Sequence, residues 1–292
     1  MKRKDFLKKS LAAVILSVAT PALIRSSNRI DKLEEDGFMT QRLGFNHLPN
    51  KEHKTMNTIL HKSTTRGHAN HGWLDSHHTF SFANYHNPER MHFGVLRVLN
   101  DDVVDPGQGF GKHPHDNMEI VSIPLHGDLE HQDSMGNKAV IKEGDIQVMS
   151  AGTGVFHSEY NRNKDKAVKF LQIWLIPKHK HVTPRYDQIA LQEIEKENDF
   201  YQILSPNKED EGVWIHQDAW FHLGKFTRET EVEYSVKKEG NGLYVFVIKG
   251  KAEVEGVDLE DRDGFGIWNT NKINFKPKAG SQLLLMEVPM EI

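Results

Sequence analysis

GFGKHPHDNMEI, residues 109–120, and GTGVFHSEYN, residues 152–161, carry the same short device twice. The first sets His113 and His115 two residues apart; the second does the same with His157 and Glu159. Side chains at i and i+2 of an extended strand point to one face, so each stretch offers a two-pronged clip. Taken singly, a His-x-His pair on a strand is more often exposed or structurally hydrogen-bonded than a ligand. Two clips facing each other inside a β-barrel would instead form a metal site. Glu119 and Glu159 both have the parity to supply the carboxylate, and spacing does not separate them.

The rest of the chain limits what such a site can be. There is no cysteine among the 292 residues, which excludes disulfides, thiolate chemistry, zinc fingers and iron–sulfur clusters. Any metal must be held by nitrogen and oxygen. Histidine is abundant, at 18 residues, and none follows His222. A formal net charge of -4 gives no basic field for nucleic acid.

Residues 1–55 read as a leader and linker. MKRKDFLKK is basic, and Ser10 to Ile24 is an uncharged, mostly apolar run with the length of a signal-peptide core, short for a bilayer span. Arg3, Lys4, Phe6, Leu7 and Lys8 resemble a twin-arginine leader with lysine in place of the second arginine. Export to a periplasm is the expectation, with no stable membrane span once the leader is removed. A start at Met56 would leave the protein cytoplasmic. After Met56 the chain becomes short β-type runs divided by Gly, Pro and Asp/Asn turns. QIWLIP is almost continuously apolar, as suits a strand covered on both faces. TPRYDQIALQEIEKEND, Thr183 to Asp199, is the best candidate for a short helix. In the second half, VIKGKAEVEG followed by LEDRDGFGIW echoes IPLHGDLEHQD followed by KEGDIQVM, which suggests a duplicated small barrel.

Gly107, His113, His115 and Glu119 have the spacing of the first cupin motif, with its closing glycine one place late at Gly127. Gly154, His157 and Asn161 match the end of the second motif, whose opening departs from the pattern at Gly144. A cupin is a jelly-roll barrel whose motif strands face one another across the interior. His126 and His131 flank a hairpin turn and read as surface residues. RGHANHGWLDSHHTFSF lacks a coherent same-face spacing of histidines with a carboxylate, so no second metal site is expected there. Asp75, Ser76 and Gly72 read as turn residues, and Trp73, Phe80 and Phe82 as core.

GHANHGWLDSHHTFSFANYHNPERMHFGVLRVLNDD, GKHPHDNMEI, DSMGNKAVIKEGDIQVMSAGTGVFHSE and LQIWLIP together resemble the pirin family, including its bacterial quercetinase-like members. The likeness is dense from Met56 to Tyr186 and looser to Ile292. It implies an all-β protein of two packed cupin barrels, a metal-binding one over residues 56–185 and a second over 186–292 without metal ligands. It also implies the ligand set His113, His115, His157 and Glu159, which leaves Glu119 as a nearby carboxylate able to orient a ligand imidazole. Such donors suit one divalent ion: iron(II) is expected, with manganese, nickel, cobalt, copper and zinc as alternatives. The activity implied is oxidative ring opening of a flavonol such as quercetin by dioxygen, with release of carbon monoxide and Glu159 as base. The partners are then a small aromatic substrate and dioxygen, acting on a monomer with no direct nucleic-acid contact. The other expectation is a non-enzymatic protein whose metal or redox state regulates a protein partner.

Overall fold

The alternating runs after Met56 become twenty-two strands in the computed structural model, which describes residues 55–292. The expected leader and the linker up to residue 54 lie outside the described residues. Among the described residues no helix is long and apolar enough to cross a membrane.

In chain order the strands begin with β1 (Asn57–His61), β2 (Gly67–Asn70), β3 (Leu74–His78) and β4 (Leu96–Val104). Then come β5 (Gly109–His115), β6 (Glu119–His126), β7 (Leu129–Asp133), β8 (Lys138–Ile141) and β9 (Asp145–Ser150). The first barrel closes with β10 (Val155–Asn161), β11 (Val168–Leu175) and β12 (Arg185–Ala190). The second comprises β13 (Phe200–Ser205), β14 (Val213–Trp214), β15 (Trp220–Phe226), β16 (Val232–Ser235) and β17 (Asn241–Lys249). It ends with β18 (Ala252–Val254), β19 (Val257–Leu259), β20 (Gly264–Trp268), β21 (Lys272–Pro277) and β22 (Ser281–Pro289).

Each barrel pairs a seven-stranded sheet with a four-stranded one. The first has β12-β9-β6-β11-β4-β3-β2 over β5-β10-β7-β8, and the second has β1-β20-β17-β22-β15-β13-β14 over β16-β21-β18-β19. The sequence echo falls on corresponding strands, with β6, β7 and β9 in one barrel matched by β17, β18 and β20 in the other. The first barrel is one unbroken stretch of chain, β2 to β12, and the second is not. β1 is the edge strand of the second barrel, and β12, which straddles the expected boundary at 185, is the edge strand of the first.

β12 corrects the helix expected over Thr183 to Asp199. Arg185–Ala190 pairs antiparallel with β9, from Arg185↔Ser150 to Ala190↔Asp145, and only one 3-10 turn follows at Leu191–Glu193. The open edge of β9 supplies a ladder of backbone partners, which outweighs a weak helical preference.

The two seven-stranded sheets bury a shared core. Val121, Ile123, Ile146, Val148, Leu171 and Ile173 meet Tyr201, Ile203, Phe221, Tyr244, Phe246 and Leu284. β11 is therefore covered on both faces, as its apolar run predicts. The barrel interiors differ sharply. That of the second barrel is one large apolar cluster around Leu243, Val245, Phe265, Ile267, Leu283 and Leu285, beside which buried Glu287 accepts from Tyr234. That of the first has one apolar cluster at Leu74, Val104, Leu129, Ile141 and Phe170, and a separate one at Ile120, Met149, Ala151 and Val155. The polar residues lie between them. Phe80 is buried and packs on Tyr244 of the second barrel, and Trp73 packs on Phe110, as core residues should. Phe82 is half-buried and instead stands edge-on to Trp174.

Candidate metal centre

β10 lies between β5 and β7, and its ladder assembles the candidate ligands. His157 is the Cα partner of His113 on one side and of Asp133 on the other, while Glu159 faces His131. A register shift between His157 and Glu159 bulges the ladder with β5. β5 passes very close there: a Cβ on Gly109 would lie 2.2 Å from the Glu159 carbonyl oxygen, so only glycine fits.

The three imidazoles converge. Ring centroids are 4.4 Å apart for His113 and His157, 4.8 Å for His113 and His115, and 4.9 Å for His115 and His157. One donor atom from each can be chosen so that all three lie within 4.8 Å of one another. His113 Nδ1 donates to the Gly111 carbonyl at 2.8 Å, which leaves Nε2 with its lone pair. His115 Nε2 and both nitrogens of His157 are buried without a hydrogen-bond partner. Burial, reinforced by His113, pushes the His115 pKa down to about 3. Burial pushes His157 well below the usual histidine range, with its histidine neighbours adding to the effect. His115 and His157 are thus neutral at ordinary pH and present lone pairs. Buried polar atoms left without partners are costly, and a cation is the partner these lone pairs fit.

Glu159 is buried and held on both oxygens. Ser122 Oγ donates to Oε1 at 3.0 Å and Gln172 Nε2 donates to Oε2 at 2.6 Å. It groups with His131 and His157, again with donor atoms within 4.8 Å, so two donor triads share His157. The structure thus brings the three imidazoles together and sets Glu159, tied back by Ser122 and Gln172, in a second group with His157 and His131.

Four expectations change. His131 is not a surface residue: its side chain is fully buried, Nε2 lies 3.1 Å from Asp133 Oδ2, and its ring packs 4.8 Å from that of Tyr186. His131 has the parity of buried Leu129, which was the available signal. His126 is half-exposed, as expected. Glu119 does not orient a ligand imidazole. It projects from the opposite face of β6 to Ser122 and accepts from Ser150 Oγ at 2.7 Å, near Arg185. Finally, His68, Asp75 and His77 do converge, because β2 and β3 pair His68 with His77 across a hairpin. Asp75 Oδ1 lies 3.1 Å from His68 Nε2 and 3.4 Å from His77 Nδ1, and Asn70 donates to Oδ2. This exposed cluster satisfies itself and contains no buried, unpartnered atom among those three residues. Asp75 and Ser76 belong to β3 rather than to a turn.

Ser122 and Gln172 were not singled out from sequence. Each is a polar residue set among apolar neighbours in a mostly apolar strand, EIVSIPLH and VKFLQIWL, and each is buried toward the interior of the first barrel.

Residues 38–175 match the pirin family, and residues 202–288 match the quercetinase C-terminal cupin domain. Quercetin 2,3-dioxygenase of Escherichia coli K12 is 42% identical over 230 residues, covering 79% of this chain and 98% of that protein. The chain belongs to the pirin family. A pirin-like protein of Caulobacter vibrioides is 37% identical over 223 residues, covering 76% of this chain and 95% of that one. The crystal structure of the bacterial pirin YhhW from E. coli, in complex with nickel(II), superposes with a TM-score of 0.76 at 40% identity. It covers 81% of this chain and all of that one. In this pirin, as the two family matches and the two barrels agree, both halves are cupins, and the converging imidazoles lie in the first.

Proposed function

We propose that this pirin is a metal-dependent dioxygenase that opens the heterocyclic ring of a flavonol such as quercetin. His113, His115 and His157 would hold a divalent transition ion, iron(II) as the working assignment, with Glu159 as the fourth donor. When bound, such an ion supplies a Lewis-acidic centre with free positions for a substrate oxygen and dioxygen. The observation that carries the reading is Glu159: a buried carboxylate, bonded on both oxygens, beside His157, whose two ring nitrogens are buried without a partner.

Glu159 has the chemistry to take the proton of the flavonol 3-hydroxyl. Ser122 and Gln172 fix its orientation, which a general base needs if it is to meet the hydroxyl in a productive line. Apolar clusters lie on either side of the polar level of the barrel interior, while His113 and His115 are half-buried and leave the site a way in from solvent. The names of the relatives support the same reaction class.

The test is to load the purified chain with iron(II) without air, add quercetin, admit dioxygen, and follow flavonol absorbance and carbon monoxide. Wild type should consume quercetin and release carbon monoxide. Glu159→Gln should retain metal through the three imidazoles and lose turnover. Unchanged turnover in that variant removes Glu159 from the mechanism. Metal-loaded wild type that leaves a flavonol panel untouched and holds a specific protein partner would establish the regulatory role instead. We also assign the basic and apolar leader an export function, to be tested by fractionating cells that express the tagged full-length chain.

A further inference from the structure

Inside the first barrel, six neighbouring strands turn polar side chains inward at one level. Successive Cα partners run His78, Asn100, Gln172, Ser122, Gln147 and Gln188. Gln172 and Ser122 hold Glu159. Gln188 donates to Val140 and Asp145 and accepts from Tyr186. Gln147 is 1% exposed, and of the six it alone has both polar side-chain atoms, carbonyl oxygen and amide nitrogen, buried without a partner. It lies one strand from Ser122 and therefore close to the carboxylate that Ser122 holds. Other buried unpartnered atoms are His78 Nδ1 and Asn100 Oδ1 at the same level, and His131 Nδ1 on the strand paired with that of Glu159.

A buried carboxamide with neither end bonded costs roughly 1–3 kcal/mol for each group, and a leucine of similar size would avoid that cost. A polar side chain retained in such a place calls for a ligand. The next level of the same sheet is apolar, with Trp174, Ile120 and Met149 as successive partners. A planar ring would lie along the apolar level and present its oxygens to the polar one. The carboxamide can both donate and accept, which matches an aromatic hydroxyl.

We propose that Gln147 determines substrate specificity by hydrogen-bonding a hydroxyl of a polyhydroxylated aromatic substrate other than the one that reacts. This deepens the flavonol reading and rests on it. Gln147 makes no contact with the reacting hydroxyl in this scheme; it selects and orients the ring.

The test compares quercetin with 3-hydroxyflavone, which keeps the reacting hydroxyl and lacks the others. Binding to the full chain, loaded with redox-inert zinc, is followed by flavonol absorbance. Wild type should prefer quercetin. Gln147→Leu should weaken quercetin about tenfold, equivalent to about 1.4 kcal/mol, and leave 3-hydroxyflavone unchanged. Its Tm should stay level or rise, because the unpartnered amide is gone. Gln147→Met, unbranched, should reproduce the result if leucine packs badly. Unchanged quercetin affinity, or equal weakening of both flavonols, overturns the proposal while the dioxygenase reading stands. Failure of wild type to bind either flavonol has a different signature and takes down both.

Discussion

Glu119 provides the sharpest test of the barrel geometry. Burial raises its carboxyl from an ordinary value of 4.5 to about 7, against the opposing hydrogen bond from Ser150 and the positive charge of Arg185. The unfolded chain releases this proton near 4.5, so between the two values the folded protein holds the extra proton. Its contribution to stability is therefore fully present below pH 4.5 and is lost as pH rises through about 7. The shift corresponds to about 3 kcal/mol between the two ends of that window. Glu119→Gln keeps the shape and an acceptor for Ser150 but does not titrate. Urea unfolding of both proteins at pH 5, 6, 7 and 8 should show the variant gaining on wild type as pH rises, by up to about 3 kcal/mol. The histidines pushed down by burial, among them His61, His78 and His222, are common to both proteins and cancel in the difference. Because Glu119 projects away from the imidazoles, metal affinity should be the same in both. A stability difference that stays flat from pH 5 to pH 8 would refute the burial argument. A loss of metal affinity would show that Glu119 reaches the ligands after all.

Two further outcomes follow from the donor geometry. Saturating zinc at about a hundred times its Kd should stabilise the wild-type fold by about 2.7 kcal/mol, reversed by chelator, and His113→Ala/His115→Ala should lose most of that shift in a thermal melt. His68→Ala/His77→Ala should leave the number of tightly bound ions per chain unchanged by elemental analysis, since that exposed cluster already satisfies its own hydrogen bonds. A lower count in the latter variant would mark the hairpin as a metal site.

Much of this was legible before the fold was known. The i, i+2 clips at His113/His115 and His157/Glu159 announce ligands because strand parity is a local property of the backbone. The absence of cysteine fixes the donor chemistry, and the apolar run in β11 announces a strand buried on both faces. His131 was misread because its place beside a hairpin turn suggested solvent, although its parity with Leu129 pointed inward. The reading of residues 183–199 as a helix failed for a different reason. Arg185–Ala190 becomes a strand only because β9 offers an unpaired edge, and that edge is built by residues far away in sequence.

By itself, then, the sequence determined that this pirin is an all-β, nitrogen- and oxygen-ligating protein, and it named three imidazoles and two rival carboxylates. Spacing did not separate Glu159 from Glu119; the family resemblance favoured Glu159, and the tertiary structure supplies the physical reason by setting Glu119 on the face of β6 opposite Ser122. Parity repeats along a single strand but says nothing once the chain turns, and residues 116–118 leave the strand between His115 and Glu119. Which side of β6 faces the imidazoles is decided by how two sheets close on one another. The same closure sets Ser122 and Gln172 on one carboxylate from strands that are distant in the chain.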